Sequence, residues 1–100
     1  MATLLALYNQ PANPGKFDDY YFTTHAPLAK KIPGLISYEV SKGAATLAGN
    51  GYHLVATLKF KSVADIQAGL ASPQGQAAAA DLANFASAGV TLMSFEDQEV

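Results

Sequence analysis

A chain of 100 residues, half of them hydrophobic, has material for one core and none for a second, so residues 1–100 are read as a single domain. The absence of cysteine excludes disulfides, thiolate catalysis and cysteine-ligated metal, and the absence of arginine excludes bidentate clamps on phosphate or carboxylate. A net charge of −2 with thinly spread lysines argues against nucleic acid, and no stretch approaches the roughly 20 apolar residues of a membrane span.

The opening MATLLALYNQ carries no positive lead, so it is not read as a signal peptide, and a cytoplasmic location is expected. Thr3 to Tyr8 is a short apolar run ending in the turn residues Asn9, Gln10, Pro11, Asn13, Pro14 and Gly15, which reads as a first strand. From Lys16 the period changes. Phe17, Tyr21, Thr24, Leu28 and Ile32 form one helical stripe, with Asp18 and Asp19 expected in the first turn and Lys30 and Lys31 in the last. Pro27 removes a backbone donor inside this helix and predicts a kink or fresh start near His25–Ala26, and Pro33-Gly34 ends it.

Leu35 to Ser41 alternates as a second strand, Lys42 to Gly51 is loop closed by Gly49-Asn50-Gly51, and Tyr52 to Phe60 alternates as a third strand. Ser62 caps a helix over Val63–Ala71, with Ile66 and Leu70 inward. Ser72-Pro73 starts another that runs to Ala86, with Ala78, Leu82 and Phe85 inward. Gly89 ends it, and Val90 to Phe95 is the last strand.

The order β-α-β-β-α(α)-β is the split βαβ, ferredoxin-like α+β plan: a four-stranded antiparallel sheet with helices on one face. The first strand carries Leu4, Ala6 and Tyr8 on one side but also Leu5 and Leu7 on the other. One helical layer covers only one of these faces. The other predicts a homodimer, because a two-fold axis matches an apolar patch to itself.

Phe17, Asp18, Tyr21, His25, Pro27, Leu28, Pro33 and Gly34 stand in the order F-D-x-x-Y-x-x-x-H-x-P-L-x(4)-P-G. Tyr52-His53-Leu54, Phe60-Lys61-Ser62, Ser72-Pro73-Gln74-Gly75-Gln76 and Asp81-Leu82-Ala83-Asn84-Phe85 follow. In combination these resemble the EthD (ethyl tert-butyl ether degradation) family over nearly the whole chain, with Gln74 where a glutamate is expected. The resemblance implies a dimeric α+β barrel. It also implies kinship with small cofactor-free enzymes acting on hydrophobic ring or polyketide-like compounds, although fold alone does not settle a reaction.

His25 is the leading candidate for chemistry. It lies at the edge of the apolar stripe one turn beyond Tyr21, where a partly desolvated imidazole beside a phenol can move a proton near neutral pH. The plainer alternative is a core histidine held by a backbone carbonyl. Tyr21 is the second catalytic candidate, able to orient a carbonyl or enolate, with core packing as its alternative. Asp81 is placed to reach across and orient His25, against the commoner solvated helical aspartate. His53 reads as a satisfied interface histidine, and two histidines without a carboxylate cluster make no metal site.

Taken with His25, the resemblance implies a cofactor-free lyase, isomerase, cyclase or oxygenase acting on a hydrophobic carbonyl compound through a histidine acid/base. The alternative is a non-catalytic protein that binds a small hydrophobic ligand in a degradation or biosynthesis pathway. A haem-binding barrel is a third, weaker reading.

Overall fold

In the computed structural model, which describes residues 1–44 and 46–100, β1 (Ala2–Asn9) lies inside a four-stranded sheet of order β2-β3-β1-β4. It pairs antiparallel with β3 (Tyr52–Phe60) and β4 (Val90–Glu96), while β2 (Ser37–Val40) pairs antiparallel with β3. Ala45, within the expected Lys42–Gly51 loop, lies outside the described residues.

The period-2 pattern assigns the two faces. Ala2, Leu4, Ala6 and Tyr8 of β1 and Leu54, Ala56, Leu58 and Phe60 of β3 are buried beneath the helices. Full burial of a Phe60 or Ile66 side chain contributes roughly 1.5–3 kcal/mol. On the other face Leu5, Leu7 and Val55 are half-buried, and Met93 and Phe95 are exposed.

The first helix begins earlier than its apolar stripe suggests. Asn13 caps α1 (Pro14–Tyr20) by accepting the Lys16 amide at 3.1 Å, and Pro14 supplies the first turn. Asp18 and Asp19 therefore sit beyond the first turn rather than within it. The expected irregularity near His25–Ala26 takes the form of a π-helical turn over Tyr21–His25, in which the Ala26 amide donates to the Tyr21 carbonyl; α2 (Ala26–Ala29) then resumes.

That extra residue has a consequence for the stripe. Thr24, expected to face inward, is exposed, and the buried series runs Phe17, Tyr21, His25, Ala29 and Ile32. A wider turn returns His25 to the face that regular helical advance would rotate it away from.

The α3 (Val63–Ala71) to α4 (Pro73–Phe85) corner turns on one residue, Ser72. Its Oγ donates to the Gly69 carbonyl and accepts the Gly75 amide at 3.0 Å, so it closes one helix and caps the next. Gln76 Nε2 donates to the Ala71 carbonyl at 3.1 Å across the same corner.

In β3 the register slips between Tyr8↔Leu54 and Asn9↔Tyr52, leaving His53 without a partner on β1. This bulge re-aims the ring. His53 Nε2 stands 2.7 Å from Asp18 Oδ1, and the ring meets Phe17 edge-on at 5.1 Å. The histidine expected at an interface is thus paired with α1 of the same chain.

Candidate active site between helices and sheet

The π-helical turn delivers Tyr21 and His25 to the helix–sheet interface, and α4 brings Asp81 and Phe85 from the other side. His25 is 5 % exposed and Asp81 7 %. The imidazole sits between aromatic neighbours, with its ring centroid 4.7 Å from Phe85 and 5.3 Å from Tyr21. Its Nδ1 is 3.0 Å from Asp81 Oδ2, so the ring is oriented by a carboxylate and not by a backbone carbonyl.

Asp81 is itself held by others. Its Oδ1 accepts the Tyr20 hydroxyl at 2.6 Å and the Asn84 amide at 3.0 Å. Burial acts to raise the Asp81 pKa, but the hydrogen bonds from Tyr20, Asn84 and His25 outweigh it and hold the group below the usual carboxylate range. At His25 burial prevails instead: it disfavours the imidazolium more than Asp81 favours it, and lowers the pKa below the ordinary histidine value.

At neutral pH the pair is therefore an aspartate anion and a neutral imidazole. A carboxylate at Nδ1 selects the tautomer that carries the proton there, which leaves the Nε2 lone pair free. Nε2 has no hydrogen-bond partner among the described residues and does not rank with the fully enclosed unpaired polar atoms.

The His25 ring borders a cavity of about 60 Å³, roofed by Leu4, Ala6, Ala56 and Leu58 of the sheet and floored by Ile32 and Ala78 of the helices. Leu92, 50 % exposed, also lines it, so the cavity reaches the surface beside β4. Three phenols, Tyr8, Tyr21 and Tyr38, share this space, and the hydroxyls of Tyr21 and Tyr38 are hydrogen-bonded to each other. Desolvation raises the pKa of all three, with the charge of neighbouring phenols adding at Tyr8 and Tyr21, so they are neutral donors at physiological pH.

The structure thus brings together His25, Tyr21 and Asp81 as the sequence suggests, and keeps His53 apart with Asp18. Tyr20, Tyr38 and Asn84 join the His25 group, although none of the three is a site candidate from the sequence. Asn84 had a signal, since it lies three residues after Asp81 on one helical face. Tyr20 and Tyr38 had none, because their contacts span 61 and 17 residues. No three His, Asp or Glu side chains converge as a metal site among the described residues, and no described helix is long and apolar enough to cross a membrane.

Comparison with known proteins identifies the surroundings of this site. The EthD domain family matches residues 9–89. An uncharacterised 11.0 kDa protein of Rhodococcus erythropolis, from the thcB-thcC intergenic region, is 43 % identical over 101 residues, 99 % of this chain and 96 % of that one. An ethyl tert-butyl ether degradation family protein of Bacillus halodurans superposes with a TM-score of 0.89 at 34 % identity, over 98 % of this chain and 99 % of that one.

More distant structures share the fold. A dimeric ferredoxin-like protein of unknown function from Thermobifida fusca gives a TM-score of 0.69 at 19 % identity, covering 94 % of this chain and 88 % of that one. SnoaB, a cofactor-independent oxygenase of Streptomyces nogalater, gives 0.64 at 17 % identity, covering 99 % and 94 %.

Proposed function

From the chain's membership of the EthD family, and from the imidazole at its cavity, we propose that it is a small homodimeric acid/base catalyst acting on a hydrophobic carbonyl compound. The observation that carries this reading is the His25 ring, oriented through Nδ1 by a buried aspartate and lining an apolar cavity, with no hydrogen-bond partner at Nε2 among the described residues. In the reaction, Nε2 accepts a proton from the carbon beside the carbonyl, and Asp81 stabilises the imidazolium that results. The electron pair moves onto the carbonyl oxygen, where a Tyr21 or Tyr38 hydroxyl donates to the developing enolate. Return of the proton at another carbon gives an isomerase, and loss of a leaving group gives a lyase. Both acid and base come from side chains, so the step asks for no cofactor.

The cavity volume constrains the substrate. About 60 Å³ is well below the roughly 150 Å³ of a cavity that takes benzene, so only the reacting end fits inside. The rest of the molecule passes the apolar mouth at Leu92. The test is deuterium exchange in D₂O at the α-carbon of long-chain methyl ketones and hydrophobic 1,3-diketones, followed by NMR. Wild-type protein is expected to accelerate exchange, and His25→Ala to lose about 10²–10⁴-fold of that acceleration while staying folded. A folded His25→Ala protein exchanging at the wild-type rate would rule out the base.

A binding or accessory role has one observation in its favour, namely that the space beside His25 is only about 60 Å³. It predicts saturable ketone binding with no exchange by wild-type protein.

The dimer rests on the uncovered sheet face, where Leu5, Leu7, Val55, Met93 and Phe95 form an apolar surface that a second copy would bury. The Thermobifida fusca neighbour, described as dimeric, supports self-association. Light scattering after gel filtration is expected to give twice the chain mass for wild-type protein and the single-chain mass for Met93→Lys, which places a charge on that face. A monomeric wild type at micromolar concentration contradicts the pairing.

A further inference from the structure

The larger open space of the molecule is not the cavity at His25 but a surface cleft of about 290 Å³ on the far side of Asp81. It reaches the lower end of the roughly 300–1,000 Å³ usual for small-molecule sites, whereas the His25 cavity does not. Its floor is aromatic. Tyr20 stacks on Phe85 with centroids 5.4 Å apart and planes at 25°, and Phe17 meets Phe85 edge-on at 5.2 Å. Its rim carries Lys16 and Ser87, both exposed, and the Lys16 ammonium has no ion-pair or hydrogen-bond partner among the described residues. No aspartate or glutamate lines the cleft.

An aromatic-lined cleft beside one unneutralised cation and a hydroxyl matches a ring with a carboxylate attached. The ring gains contact with the Tyr20–Phe85 stack, and the carboxylate gains Lys16. Two of the cleft's own walls are also the two donors that hold Asp81 Oδ1, namely the Tyr20 hydroxyl and the Asn84 amide. Whatever presses on Tyr20 is therefore one carboxylate away from His25.

We propose that this cleft is a second ligand site, for small aromatic carboxylates, whose occupancy reaches His25 through the Tyr20–Asp81 hydrogen bond. The inference does not depend on His25 being catalytic, since both halves are read by binding and spectroscopy alone.

The test uses 2-naphthoate as probe and 2-naphthylmethanol as its uncharged counterpart, titrated into full-length protein labelled with ¹⁵N at histidine. Naphthoate is expected to bind and to move the His25 ring nitrogens with little effect on His53. Lys16→Met is expected to weaken naphthoate about three- to fivefold, the range of a single exposed ion pair, and to leave the alcohol unchanged. Ser87→Trp, on an exposed position, fills the cleft and abolishes binding. Tyr20→Phe keeps the stacking surface, so it binds naphthoate but loses the His25 response.

No binding at millimolar naphthoate, or binding indifferent to both Lys16→Met and Ser87→Trp, overturns the site. An unchanged His25 response in Tyr20→Phe overturns the coupling.

Discussion

Gly75→Ala is expected to lower the melting temperature by about 12–24 °C, measured by circular dichroism, with a matching fall in the denaturant midpoint. Alanine inside a helix ordinarily stabilises by roughly 0.5–1 kcal/mol relative to glycine. At this position the added Cβ would lie 2.1 Å from the Gly69 carbonyl oxygen and 2.6 Å from Leu70 Cα, both backbone atoms of α3 that cannot rotate aside. Relief requires α4 to shift off α3 at a corner closed by one residue, with loss of the bond between the Gly75 amide and Ser72 Oγ. Overpacking of this kind costs about 3 kcal/mol, well above the propensity gain. Gly15→Ala in α1 is the control. Its Cβ would meet nothing nearer than Asn13 Oδ1 at 3.8 Å, and stability should hold or rise slightly. A Gly75→Ala protein as stable as wild type would show that the corner is not closed as described.

The same corner explains what part of the sequence was saying. In Ser72-Pro73-Gln74-Gly75-Gln76, Ser72 caps twice, Pro73 opens α4, Gly75 permits the close approach and Gln76 ties back to Ala71. Gln74, which stands where a glutamate is expected, is exposed. A segment that reads as a family signature is thus a helix corner, and its Gly75 also borders the His25 cavity.

The β-α-β-β-α-α-β sequence and the alternation within each strand were legible because period-2 patterning and Pro/Gly punctuation are local, whereas the strand order β2-β3-β1-β4 and the face the helices cover are set by tertiary packing. The π-helical turn was not. It depends on an i→i−5 bond that no propensity marks, and it is what replaces Thr24 by His25 on the inner stripe. The bulge that turns His53 toward Asp18 likewise leaves no mark in the sequence, since a perfect alternation over Tyr52–Phe60 gives no hint of a slipped register on β1. Asp81 was legible only as a possibility, because a helical aspartate acquires a partner only once α4 is docked. Tyr38, read as a strand residue, meets Tyr21 for a reason of tertiary placement alone.

The second large effect concerns acid. His25 has its folded-state pKa below the unfolded value, so the unfolded chain binds the extra proton first. Stability contributed by the neutral ring is complete above about pH 6.5 and is lost as pH falls from there through the folded value. Asp81 is also depressed, and its contribution, present above the unfolded carboxylate value near 4, is lost at lower pH still.

The two limbs separate by mutation. Asp81→Asn keeps the shape and an acceptor for Tyr20 but removes the charge that favours the imidazolium. The decline below pH 6.5 should therefore steepen toward the single-proton ceiling of about 1.4 kcal/mol per pH unit. His25→Gln should flatten that limb while leaving the lower one in place. Asp81→Ala goes further and leaves the buried His25 Nδ1 proton without an acceptor, at a cost of about 1–3 kcal/mol even at pH 8. Urea unfolding at half-unit steps from pH 8 to 4 reads all four proteins on one scale. Equal slopes for wild type and Asp81→Asn between pH 6.5 and 5 would mean that the aspartate and the imidazole are not coupled. The oriented, neutral base on which the reaction depends would then be lost as well.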